Sequence, residues 1–289
     1  MSAAAADAAQ AHAAEQWFRI AALPEPQICL AEGALCIAAA EYPGLAVRDY
    51  LARIDAMAAT LRTRLRADIA TADKILALNH YLFEELGFSG NDGDFNDPRN
   101  SFLNDVLDRR LGIPISLSVL YIEIGRRIGI GLQGVSFPGH FLVKCALRGG
   151  TAVLDPFHRG RSLGVDELQQ RLRAAGAPVA VDDAILGHLL SAASSREILG
   201  RMLRNLKAIY AGKGDWLRAL SACERAIALR PADAGEEYRD RADIYLRLEC
   251  FRAALGDLHT YLRQCPGAED APAVRSRIAE LQPLVAGMN

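Results

Sequence analysis

The stretch PISLSVLYIEIGRRI, residues 114–128, constrains the fold more than any other part of the chain. Leu117, Val119, Leu120, Ile122 and Ile124 occupy much of the circumference of a helix rather than one stripe. A helix that is apolar over so wide a surface has to be enclosed by other elements, so the spacing predicts a central, buried helix over 115–128. Pro114 fits the first turn, where its missing N–H would have no partner in any case. Leu111-Gly112-Ile113-Pro114 ends the preceding helix, FLNDVLDRR, whose N-cap is expected at Ser101.

From about Gly131 the apolar period shortens to two. LQGVSF, HFLVKCAL and TAVLD predict short strands, with Arg148-Gly149-Gly150 as a hairpin turn. Upstream, Gln27 to Leu86 reads as successive helices, closed by Gly87 at a C′ position, and SGNDGDFNDPRN is a turn-rich loop. The Ala-rich first 15 residues are expected to be helical or frayed, and VDELQQRLRAAG a further helix. The expected class is α+β, a helix-rich domain with a small antiparallel sheet.

The tail changes character. Tyr210, Ala219 and Pro231 recur 35 residues later as Tyr245, Ala254 and Pro266, with identical gaps. Paired-helix repeats of about 34 residues carry such small-residue and proline patterns. Leu206, Tyr210, Ala219, Ala226 and Pro231 fit the tetratricopeptide pattern in the first copy. The second is poorer, with Tyr261 at the late small position and one residue inserted. Helix pairs are expected at 196–211 with 215–229 and 236–248 with 251–264, and the division predicted is 1–195 and 196–289.

His140 begins one expected strand and Asp155 ends the next, so the hairpin can bring them face to face. A carboxylate that fixes the tautomer of an imidazole is what a general base requires. Ser116 and Ser118 lie in the first turn of the buried helix. Ser116 either satisfies free N–H groups there or acts as a nucleophile that uses the helix N-terminus to stabilise developing negative charge. Cys145 lies five residues after His140 on one strand, hence on the opposite face, and Cys29 and Cys36 read as core packing.

Taken together, NDPRNSFLNDVLDRRLGIPISLSVLYIEIGRRIGI, GVSFPGHFLVKC and LDPF resemble the transglutaminase-like domain of the SirB family, over about Asn96 to Phe157. That family joins this domain to C-terminal tetratricopeptide-like helices, and the chain shows both parts in that order. The wider transglutaminase-like and papain-like superfamily uses Cys, His and Asp. The resemblance implies His140 for the His and Asp155 for the Asp. The Cys position falls on Pro114 without a gap, or on Ser116 with a two-residue slip. The implied function is regulation through protein–protein interaction by a domain without its catalytic cysteine. The rival is a hydrolase or acyltransferase using Ser116, His140 and Asp155.

The formal charge of −2 gives no whole-chain argument for nucleic acid or an anionic membrane. The six cysteines form neither a CxxC nor a Cys/His cluster with zinc spacing, so no metal, cofactor or disulfide framework is expected. MSAAAADAAQAHAAEQ lacks the basic and apolar regions of a signal peptide, and no apolar run reaches membrane-spanning length. A cytoplasmic protein that binds another protein or peptide through its C-terminal repeats is expected.

Overall fold

The computed structural model of the chain describes residues 3–176 and 183–287. The first two residues of the Ala-rich start and residues 177–182 of the expected first domain lie outside the described residues. The chain forms two compact units. One holds Pro24–Ile198 with the stretch up to Gln16, and the other holds Leu199 onward with Trp17–Leu23.

The first unit is α+β. Its helices are α1 (Ala3–Ala22, as far as Gln16), α2 (Leu30–Ala39), α3 (Val47–Arg64) and α4 (Thr71–Asn79), which passes directly into a π-helical turn at His80–Glu85. A two-residue strand β1 (Ser89–Gly90), helix α5 (Leu103–Arg109) and strand β2 (Leu111–Gly112) precede α6 (Pro114–Arg127). Strands β3 (Leu132–Val135), β4 (Leu142–Leu147), β5 (Gly150–Asp155) and β6 (Arg161–Ser162) form one antiparallel sheet in chain order, while β1 and β2 pair in parallel. Helices α7 (Val165–Ala174) and α8 (Asp183–Leu189) follow.

α6 is the centre expected from its apolar circumference. Every residue from Pro114 to Gly125 is buried. The helix packs against α2, α3 and α5 on one side and β3 and β4 on the other. Gly125 makes the close approach to the sheet possible, since a Cβ there would stand 2.2 Å from Leu132. The single acid on this helix, Glu123, is buried and is satisfied by Arg126 (3.1 Å) and Arg127 from the next turn.

The second unit is all helix: α9 (Ser195–Gly212, from Leu199), α10 (Trp216–Leu229), α11 (Gly235–Arg247), α12 (Phe251–Gln264) and α13 (Ala271–Ala286). α11 packs on α10 and α12, and α12 on α13. Ala219, Ala242 and Ala254 are completely buried, as small residues are where helices approach closely. Trp17 belongs to this unit, its indole N–H donating to the Arg225 carbonyl at 3.3 Å. Among the described residues no helix is long and apolar enough to cross a membrane.

Three local features depart from the sequence reading. Phe102, not Ser101, stands at the N-cap of α5; Ser101 ends the preceding 3-10 turn, Pro98–Asn100, and its hydroxyl is buried without a hydrogen-bond partner among the described residues. β4 starts at Leu142, so His140 closes a turn, its N–H donating to Phe137 O at 3.1 Å, instead of opening a strand. The π-helical turn at His80–Glu85 falls where an ordinary helix was expected. Its apolar residues follow the helical period, and a single widened turn leaves that pattern intact.

Candidate functional site

In the β4–β5 hairpin Val143 stands opposite Leu154, so the residues after β5 run back beside those before β4. That register delivers Asp155, the last residue of β5, to His140, whose Nε2 lies 2.9 Å from Asp155 Oδ1. Asp155 is completely buried and the His140 side chain nearly so.

The turn after β5 brings a second imidazole to the same carboxylate. Pro156 fixes the first residue of a 3-10 turn, Pro156–His158, that Asp155 itself caps by accepting the His158 N–H at 3.4 Å. The tightness of this turn folds His158 back, with Nδ1 2.8 Å from Asp155 Oδ2. From α7, Arg171 places Nη1 2.9 Å from the same oxygen. Burial alone would push the Asp155 carboxyl up. The hydrogen bond and positive charge of His140, and then those of His158, outweigh it and hold the carboxyl well below the usual carboxylate range.

The turn is anchored from beneath. Gly160 has φ +71°, and a Cβ on it would stand 2.0 Å from Asn79 Oδ1. Asn79 Nδ2 donates to the Gly160 carbonyl at 3.0 Å, and Tyr121 on α6 donates its hydroxyl to Asn79 Oδ1 at 2.7 Å. Around the imidazoles stand Phe157, edge-on to His140 at 6.0 Å, and the half-exposed Phe95, edge-on to Phe157 at 6.2 Å. The two histidine rings are 5.9 Å apart.

Ser116 is completely buried at the start of α6. Its Oγ donates to the Asn100 carbonyl at 2.6 Å, lies 3.2 Å from the Ile113 carbonyl, and accepts the Ile113 N–H at 3.1 Å. This is half of a capping box, a side chain reaching back to a free N–H before the helix. Pro114, buried, is the first residue of α6. Ser118 Oγ is buried without a hydrogen-bond partner among the described residues. Cys145 is buried on β4 with its thiol near the Ala146 carbonyl, and burial pushes that thiol up, away from the thiolate. The structure thus brings His140 and Asp155 together, and engages the hydroxyl of Ser116 with backbone groups.

His158 and Arg171 were missed by the sequence reading. The signal for His158 was present in LDPFH, where a proline directly after the aspartate starts a tight turn and sets the i+3 residue over it. Arg171 carries no local signal, being one of several basic residues on an amphipathic helix. Among the described residues, His140, Asp155 and His158 form a group whose donor atoms all lie within 4.8 Å of one another, close enough to share one metal ion.

Comparison with known proteins places this geometry in a family. Residues 48–204 match the Transglutaminase-like superfamily and residues 206–279 match the Tetratricopeptide repeat. The chain belongs to the SirB family of transglutaminase-like proteins. A UPF0162 protein of Xylella fastidiosa (strain Temecula1) is 42% identical over 265 residues, spanning 92% of this chain and 94% of the relative. The SirB1 protein of Salmonella typhimurium is 28% identical over 239 residues, 82% of this chain and 86% of its own length. The mouse F-box only protein 21 is 31% identical over 146 residues, which cover 48% of this chain and 22% of that protein. In this SirB-family chain, the His–Asp pair and the α6 start lie inside the transglutaminase-like match, and α10, α11 and α12 inside the repeat match.

Proposed function

We propose that this SirB-family chain is a non-catalytic transglutaminase-like protein that works in the cytoplasm as a regulator, binding another protein through its C-terminal repeats. The observation that carries the reading is the hydrogen bonding of Ser116. Its hydroxyl proton is held by a buried carbonyl 2.6 Å away, and its lone pairs serve the backbone N–H of Ile113. A nucleophilic serine needs that proton on a general base. Pro114, at the position the resemblance gives to the cysteine without a gap, has no side-chain nucleophile.

The binding half of the reading rests on the second unit. Between α9, α10, α11 and α13 lies a cavity of about 600 Å³, walled by Trp216, Ile244 and Leu246 and edged by Asp243, Arg247 and Arg277. Arg247 stacks over the Trp216 ring at 5.6 Å. An aromatic floor with both signs of charge at its rim suits a peptide segment with an apolar anchor.

The alternative, a hydrolase or acyltransferase using Ser116, His140 and Asp155, is favoured by the His140–Asp155 hydrogen bond, which orients an imidazole as a general base requires. Activated esters and acyl-donor peptides separate the two readings. The proposal expects turnover no greater in the native chain than in Ser116→Ala and His140→Ala. Turnover lost in both variants while each stays folded would establish the enzyme. Cross-linking of a bound partner should map to the walls of the α9–α13 cavity and should weaken in Trp216→Ala.

A further inference from the structure

We propose that His140, Asp155 and His158 form a binding site for a single divalent metal ion of the zinc class. The donor set comes first. Two imidazoles and one carboxylate, presented from β5, the turn before β4 and the 3-10 turn after β5, converge with donor atoms within 4.8 Å of one another. Nitrogen donors exclude the hard cations, which take oxygen, and two histidines with one carboxylate suit zinc and its first-row neighbours.

The donor atoms already face one another. Both ring nitrogens now donate to the carboxylate, so a bound metal displaces those two protons and leaves His140 Nε2 and His158 Nδ1 as lone-pair donors, with any remaining ring proton on the outward-facing nitrogen. The two nitrogens contact different oxygens of the carboxylate, His140 Nε2 at 2.9 Å from Oδ1 and His158 Nδ1 at 2.8 Å from Oδ2, and all the donor atoms lie within 4.8 Å, so a bound ion requires these separations to adjust to about 3.3 Å, the edge of a tetrahedron with bonds near 2.0–2.1 Å.

The surroundings complete the site. Outer partners orient a ligand and tune the metal. Here Arg171 fixes the rotation of the carboxylate from 2.9 Å, and the Tyr121–Asn79–Gly160 chain fixes the turn that carries His158. The guanidinium also opposes a cation, so the affinity expected is below that of a site without it. Entry is from the His158 side, where the imidazole is half-exposed. Three protein ligands leave one tetrahedral position for water or an incoming donor, the pattern of reactive rather than purely structural zinc. This inference is independent of whether Ser116 is a nucleophile.

The test is a zinc titration of the full chain, stripped with chelator, at neutral pH against a chromophoric zinc indicator, repeated with cobalt(II) and read by visible absorption. One equivalent is expected in the native chain and in His80→Ala, a control that changes an exposed histidine elsewhere. His158→Ala should weaken binding by about 100-fold or more and abolish the cobalt bands, a ligand being worth at least as much as an outer partner. His158→Gln keeps a donor to Asp155 without an imidazole, so an equal loss there separates the ligand from the fold. Binding unchanged in both His158 variants, or no uptake by the folded native chain, would overturn the proposal.

Discussion

His158 and Arg171 meet on one oxygen: the imidazole Nδ1 is 2.8 Å, and the guanidinium Nη1 2.9 Å, from Asp155 Oδ2. Their approach ties the end of β5, the turn after it and α7 to one buried charge. Removing a single partner from such a cluster costs more than the bond itself, because the group left behind remains desolvated.

The same logic applies to Ser116. Ser116→Ala deletes the acceptor for the Ile113 N–H and the donor to the Asn100 carbonyl, both buried. The expected loss is about 1–2 kcal/mol of unfolding free energy, in the range of lost helix caps. Urea unfolding followed by circular dichroism checks it. A loss below a few tenths would mean that the cap is redundant.

Tyr121→Phe should destabilise by about 1–2 kcal/mol, since it strips Asn79 Oδ1 of its donor without leaving a large cavity. It should also loosen the Gly160 turn. Hydrogen exchange at residues 156–160 ought to quicken in the variant. Unchanged exchange would uncouple the turn from α6.

Asp97 gives a pH dependence. Burial pushes its carboxyl up, but the side-chain and backbone hydrogen bonds of Arg99 and the charge of Arg109 win, and the carboxyl sits below its ordinary value. A group lowered in the fold contributes stability that is present above the unfolded value, near 3.9, and is lost as pH falls through the folded one. Asp97→Asn should therefore reduce stability at neutral pH and flatten the acid limb below about pH 4. Urea midpoints collected down to pH 3 test this, and parallel acid limbs in both proteins would refute it.

In the repeats, Ala219→Leu should cost about 1–3 kcal/mol by overpacking a completely buried position on α10. The thermal midpoint is the readout, and an unchanged midpoint would mean that the neighbouring helices make room.

How much of this was legible in the sequence depended on whether a signal was periodic or local. α6, the β4–β5 hairpin and the helices after Ser195 announce themselves by spacing, because each buries one face or all of itself. His140 and Asp155 could be paired from chain order and a Gly-rich turn. His158 could not be weighed without the turn that folds it back, and Arg171 lies on another element altogether. The parallel β1–β2 pair is two residues long, too short for any period to show. For Ser116 the sequence allowed two roles. What separates them is Asn100 O, sixteen residues upstream, which no local pattern connects to α6.

The π-helical turn at His80–Glu85 has a further consequence. There the Leu86 N–H reaches back to Tyr81 O, five residues instead of four, so this stretch uses one residue more per turn than an α-helix. The wide turn takes up that extra residue by turning less at each one, and a further residue inserted here in ordinary α geometry would rotate all that precedes it by about 100° against all that follows. Asn79 stands immediately before the wide turn, holding Gly160. An insertion in a helix, remote in sequence from the hairpin, would thus be felt at the His158 imidazole through Asn79.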